Sequence, residues 1–287
     1  MKIKFLFVFI ISFGIGNAQK ISYSDSLQKS FINLSKPQQL KQILEIPYDK
    51  FIGNIAASEK LALKAIELAK ELNNQESLAE AYLLLSQIYN YQDKREKKLV
   101  FNLNAIRIYE ELGKLEKAGY AYGELGFSIK REDLKSALHY MRKGLKIIEN
   151  VKTAKKVDAT YDNYGILQGM LKNYDSAIYY HKKSLQLKKQ HNDSIGIPYG
   201  YVHLATVNIN LNNFDIAKKY IDSAQTIRLI RNDIYGITDN YVYYGDLYFA
   251  EKKYGRAIEN FKKGYNLSIE NNFLSREKYC GDYLAKS

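Results

Sequence analysis

The chain has 287 residues, with 43 Lys and Arg against 31 Asp and Glu, and a formal net charge of +12. Hydrophobic residues make up 46% of it, which excludes an intrinsically disordered chain. The single cysteine, Cys280, excludes an internal disulfide, and 26 tyrosines with no tryptophan leave tyrosine as the dominant large aromatic.

The first segment, residues 1–18, reads as a secretory signal peptide. Lys2 and Lys4 give a positive start, Phe5 to Ile11 is an unbroken apolar run, and Phe13 and Ile15 extend it. Gly16-Asn17-Ala18 places small residues at −3 and −1 for cleavage before Gln19. The run is too short to span a bilayer. No cysteine follows the cleavage site, so a lipid anchor is not expected. The expected location is therefore the periplasm or the exterior, and loss of Lys2 and Lys4 lowers the charge from +12 to +10. Residues 19–50 form a lead-in with a degenerate half-repeat, in which Pro37 and Pro47 bracket a short helix over 38–46.

From residue 51 onward the sequence repeats. Small residues recur at Ser86, Gly126, Gly165, Ala205 and Gly245, and again at Ala65, Ala105, Gly144, Ser184, Ala224 and Gly264, every step being 40 residues except one of 39 in each series. Tyr82, Tyr122, Tyr161, Tyr201 and Tyr241 stand four residues before the first series. Such a period marks a repeat array. Within each unit, steps of three and four put Tyr161, Tyr164, Gly165 and Gln168 on one helix face. Turns such as Lys172-Asn173-Tyr174-Asp175 then lead into a second helix carrying Ala177 and Ser184. Small residues let the two antiparallel helices approach, and the tyrosine fills the space beside them. The pattern predicts a helix over 55–72, five helix pairs between Gln75 and Asn272, and a further helix from about Leu274.

This pattern resembles the tetratricopeptide repeat family. The unit Tyr241, Tyr244-Gly245, Tyr248, Ala257, Phe261, Gly264 matches it best. The closing proline is absent, and Lys98 replaces the second-helix alanine in one unit, which predicts a looser hairpin there. The resemblance implies an all-α, right-handed α-solenoid of antiparallel helix pairs over residues 51–287. A step of 40 instead of the family's usual ~34 residues implies helices of about 17 residues, or roughly 25 Å.

The motifs of nucleotide loops, zinc proteases, paired-cysteine sites and nucleophile elbows are absent. His139, His181, His191 and His203 show no i, i+4 pairing, so no metal site, no cofactor and no catalytic residue are expected. His181 falls on a packing position. Arg142-Lys143, Lys182-Lys183 and Lys262-Lys263 form a basic stripe broken by Asp222-Ser223. Lysine at a solvated helix position explains it more simply than nucleic acid, which export also removes from reach.

The family resemblance implies a concave face lined by the first helices. Those positions are Leu83, Gln87, Tyr91, Tyr120, Phe127, Asp162, Asn163, Ile166, Tyr199, Val202, His203, Thr206, Val242, Tyr243, Asp246 and Phe249. Their mixture of aromatic, aliphatic and hydrogen-bonding groups is that of a protein- or peptide-binding groove. Gln87, Phe127, Ile166, Thr206 and Asp246 stand where the family's carboxylate clamp would be, so no carboxyl-terminal ligand is implied. The combination of export and 40-residue repeats resembles the sensor region of membrane-bound kinases and helix-turn-helix regulators. A free-standing exported scaffold and an unrecognised hydrolase are the alternatives. At the end, Tyr279, Tyr283 and Leu284 form the apolar face of another first helix. The sequence is thus expected to belong to a longer protein, attached to a membrane through a further carboxyl-terminal segment. If it ends at residue 287, that face is expected to form a dimer contact.

Overall fold

The structure, a computed structural model, describes residues 31–46, 55–151 and 157–285. Residues 1–18, expected to be a signal peptide, and Pro47 lie outside the described residues. Every described element is helical, and the described residues divide into two compact units, the first ending at Lys94 and the second starting at Arg95. The division falls in the turn of the unit where Lys98 replaces the family's alanine. None of the described helices is long and apolar enough to cross a membrane.

The first unit holds a 3₁₀ turn (Phe31–Asn33) and three helices: α1 (Lys36–Leu44), α2 (Ile55–Glu71) and α3 (Gln75–Tyr91). Pro37 sits in the first turn of α1, where its missing N–H costs nothing, and Gln38 Oε1 accepts from the Ser35 backbone N–H at 3.0 Å. α1 packs on both α2 and α3. Phe31, Leu40, Ile43, Leu61, Ala65, Leu85 and Ile88 are buried.

The second unit runs through α4 (Arg95–Glu111), α5 (Leu115–Ile129), α6 (Leu134–Glu149), α7 (Val157–Met170), α8 (Tyr174–Gln190), α9 (Gly196–Asn210), α10 (Phe214–Ile230), α11 (Ile234–Ala250), α12 (Tyr254–Glu270) and α13 (Leu274–Leu284). Helices α2, α3, α4, α8, α10, α11 and α12 are each 17 residues long, as the period implied. The antiparallel pairs are α5/α6, α7/α8, α9/α10 and α11/α12, and each second helix also packs on the first helix of the next pair. Successive first helices α5, α7, α9, α11 and α13 touch one another. Among the described residues no two second helices do so to a comparable extent. The first helices therefore form the inner layer of this unit.

A fixed helix ending produces the step. Asn73, Asp93, Gly113, Lys172, Asn192, Asn212, Asn232, Lys252 and Asn272 all have positive φ, at intervals of 20 residues within 73–113 and within 172–272. Each is followed by a backbone N–H that reaches back five residues, for example Asn74 to Ala69 at 2.9 Å, Asp193 to Lys188 at 2.9 Å and Lys253 to Tyr248 at 2.8 Å. This is the Schellman ending, which satisfies otherwise orphaned carbonyls and reverses the chain. Asparagine tolerates the left-handed conformation better than most residues, which accounts for its recurrence there.

The small residues mark the helix crossings. A Cβ on Gly126 would lie 2.6 Å from the Ala137 carbonyl oxygen and 2.8 Å from the Met141 backbone nitrogen. On Gly144 it would lie 2.5 Å from the Gly119 carbonyl oxygen and 3.0 Å from the Tyr122 Cβ. Gly245 instead makes room for the Phe261 ring, and Gly165 for the His181 ring. The last helix is not left bare: Tyr279, Tyr283 and Leu284 pack on Val242, Phe261 and Cys280.

Two substitutions separate these roles. Gly126→Leu meets backbone on the facing helix, which cannot step aside, and should cost at least the roughly 1–3 kcal/mol of an overpacked core, read by urea unfolding. Gly113→Asn, at a positive-φ turn with nothing within 4 Å of the added Cβ, should stay within about 0.5 kcal/mol of the parent. Equal costs for the two would contradict the crossing geometry.

Candidate functional site

The inner layer brings most of the expected groove residues to one surface. In the second unit Tyr120 and Phe127 on α5, Asn163 and Ile166 on α7, Tyr199 and His203 on α9, and Tyr243 and Asp246 on α11 are half-buried, while Thr206 and Phe249 are exposed. Leu83, half-buried, with Gln87 and Tyr91, both exposed, belongs to α3 in the first unit. Asp162, Val202 and Val242 depart from the expectation, because all three are buried. They occupy one column at a step of 40 residues, and that column points into the helix packing: Val242 lies against Ala257, Phe261 and Cys280. The same column in α5 holds Gly123. Its missing side chain leaves a cleft of about 220 Å³ between α5, α6 and α7, bordered by Tyr120, Glu124, Met141, Ala159, Thr160 and Asn163.

The buried Asp162 is the centre of a charged cluster. Its Oδ1 lies 2.7 Å from His181 Nδ1 and its Oδ2 2.6 Å from Lys188 Nζ. His203 Nδ1 lies 2.9 Å from the same Oδ1, without regular hydrogen-bond geometry. Burial alone pushes the Asp162 carboxyl up, but the facing His203, His181 and Lys188 outweigh it and hold it well below the usual carboxylate range. Burial pushes His181 down, against the pull of Asp162. The packing position expected for His181 is thus also a polar one. Sequence reasoning missed the cluster because its members lie 19 and 26 residues from Asp162 on α8, and 41 away on α9, outside any i, i+4 window. The available signal was the break in each column: an acid and a base at positions where other repeats carry apolar residues.

The position of Lys188 is taken by Arg228 one repeat later. Arg228 is 1% exposed, donates to the Gly236 carbonyl at 2.8 Å and to Asn240 Oδ1, and stacks on the Tyr199 ring with its guanidinium 5.1 Å from the centroid. Further along, Arg276 pairs with Asp239, and the Tyr279 hydroxyl donates to Asp246 at 2.9 Å. Burial raises the Asp246 carboxyl to about 6, partly offset by Tyr279 and Arg276.

The basic stripe has a structural use. Lys143 lies over the Tyr122 ring and pairs with Glu110, which also accepts from the Tyr122 hydroxyl at 3.0 Å. Lys183, Tyr161 and Glu149 repeat the arrangement, with the Lys183–Glu149 pair at 3.2 Å and the tyrosine bond at 2.8 Å. These two lysines clamp the signature tyrosine to the preceding second helix, while Arg142, Lys143, Lys182, Lys262 and Lys263 keep the exposure that a solvated helix position implies. The interruption at Asp222 serves a variant of the clamp: it accepts from Tyr244 at 2.6 Å and pairs with Lys218.

Two measurements test this electrostatic reading. Asp162→Asn leaves Lys188 buried without its counter-charge and should cost about 3–5 kcal/mol in urea unfolding. The triple change Asp162→Val, His181→Met, Lys188→Ile installs the apolar residues of Val202, Met141 and Ile148 and should be neutral or stabilising by up to about 4 kcal/mol. A triple variant as unstable as Asp162→Asn would contradict it. For Asp246 the raised folded pKa means that the folded state binds more protons than the unfolded one. Its stability contribution is therefore lost as pH rises from about 4 through about 6. Asp246→Asn should raise stability at pH 7 and leave it nearly unchanged at pH 4.

No family model and no curated protein matches the chain. Solved structures do match its fold. The apo form of RapI is 16% identical and covers 88% of this chain and 97% of its own, with a TM-score of 0.65. A Rap protein complexed with competence and sporulation factor is 14% identical, covers 92% of this chain and 79% of its own, and has a TM-score of 0.64. A signal-transduction ATPase with a tetratricopeptide repeat sensor, from Pyrococcus horikoshii, is 20% identical over 91% of this chain and 45% of its own, with a TM-score of 0.57. The fold class is accordingly all-α, a right-handed α-solenoid of antiparallel helix pairs of the tetratricopeptide type.

Proposed function

We propose that the chain is an exported binding module that holds a protein or peptide partner against the inner face of its first helices. The observation that carries this reading is the composition of that face. Tyr120, Asn163, Ile166, Tyr199, Thr206, Tyr243 and Phe249 offer aromatic, aliphatic and hydrogen-bonding groups at half-buried or exposed positions, the mixture found at recognition surfaces. The outer lysines Lys143 and Lys183, by contrast, are already engaged by tyrosine and glutamate. A similar fold has been solved with competence and sporulation factor bound to a Rap protein, and another is named as a sensor in a signalling ATPase. Both agree with binding in place of catalysis, and with a sensor or scaffold role in a longer signalling protein. A free-standing exported scaffold would use the same surface.

Photocrosslinking residues placed at Thr206 or Phe249, and at Lys182 on a second helix, test the reading in the native host. Adducts with a protein or peptide should form from the inner positions. Adducts from Lys182 alone would place binding on the outer face and overturn it. Export is tested separately by the mass of the mature chain, which should begin at Gln19. An intact chain beginning at Met1 in the cytoplasm would contradict it.

A further inference from the structure

The repeat supplies its own internal comparison. In the second helices, the buried column Met141, His181, Ile221, Phe261 is apolar except at His181. In the first helices, the column of Val202 and Val242 carries Asp162. The column of Ile148 and Ser268 carries Lys188 and Arg228. One repeat thus replaces packing residues by a carboxylate, an imidazole and an ammonium group, and His203 joins them from the next first helix. Burial of such groups costs free energy even when they are paired, and the neighbouring repeats stack without them. Gly165 is part of the arrangement, since a Cβ there would lie 2.8 Å from the His181 ring.

We propose that Asp162, His181 and His203 form a binding site for a zinc-like divalent cation, with an open coordination position facing the inner layer. The three residues each offer one ligand atom, and these atoms lie within 4.8 Å of one another. They come from three successive helices, α7, α8 and α9, so the packing of the array sets the site. Two imidazoles and one carboxylate suit zinc, iron(II) or cobalt(II), whereas calcium and magnesium take oxygen ligands. Tetrahedral bonds of about 2.0–2.2 Å place ligand atoms about 3.3–3.6 Å apart. The histidine nitrogens already stand 2.7 and 2.9 Å from Asp162 Oδ1, so binding requires only small side-chain shifts. Lys188 holds Oδ2 and leaves Oδ1 as the single donor, the orienting role that outer-shell partners play around metal-bound carboxylates. Asp162 and His181 are buried, while the His203 side chain is 22% exposed, which puts the open side toward the inner layer.

The test uses the full protein purified without a histidine tag. It is titrated with cobalt(II), followed by its visible absorption, and then with zinc. A single saturable equivalent of cobalt, displaced by zinc, is expected. His203→Ala should weaken binding by more than the roughly 10–100-fold that loss of an outer-shell partner costs. The triple variant Asp162→Val, His181→Met, Lys188→Ile, which keeps the apolar pattern of its neighbours, should abolish binding while retaining the helical circular dichroism signal. Absence of saturable cobalt binding by the parent protein, or binding unchanged in either variant, overturns the proposal.

Discussion

The close crossing of two antiparallel helices at a small residue is the constraint on which the rest of the second unit depends. At Gly126 and Gly144 the facing backbone stands where a Cβ would be, so the helices approach more nearly than larger side chains allow. That approach lets one tyrosine per pair fill the flank of the crossing, and it lets a lysine and a glutamate clamp the tyrosine from outside. Schellman endings then return the chain after nine of the described helices, though not after Ile129. The crossing sets the distance between helices and the ending sets the step, and together they place every first helix on the same side.

Much of this was legible in the sequence because it repeats. Two series of small residues with a shared one-residue slip gave the helix pairs of the second unit and the length of most helices, and the asparagines gave most of the turns. Of the five pairs expected between Gln75 and Asn272, four are packed within the second unit, and the remaining two helices fall in different units. The helix at Leu274 followed from the same offset. The site was less legible. The resemblance located the inner helices but not which of their positions open to solvent, so Asp162, Val202 and Val242 were expected in the groove and are buried. A 3.6-residue helix turns its faces gradually, and a side chain at the edge of the apolar stripe is decided by its neighbour across the crossing, which the one-dimensional pattern does not contain. The lysine–tyrosine–glutamate clamps were hidden for the same reason: Glu110 and Glu149 sit 12 residues before the tyrosines they serve, on a different helix.

The buried cluster around Asp162 shows how a repeat carries buried charged groups without losing its fold. Arrays of this kind gain stability from each contact with a neighbour, so one unit can hold costly polar groups while the units beside it keep apolar cores. Lys188 and Arg228 stand in the same column yet solve burial differently. Lys188 meets the Asp162 carboxylate, whereas Arg228 meets a carbonyl, an amide and the Tyr199 ring. Cleft, cluster and arginine all border the inner layer, where half-buried side chains from successive first helices converge.

The central claim is that first helices line the inside of this array. Pulsed electron spin resonance measures it directly in a chain whose buried Cys280 is replaced by alanine. One pair of spin labels is placed at Ile166 and Thr206, on successive first helices. A second pair is placed at Lys182 and Asp222, on successive second helices. The account predicts the shorter mean distance for the pair on the first helices. Equal distances, or a shorter one between the second helices, would contradict it.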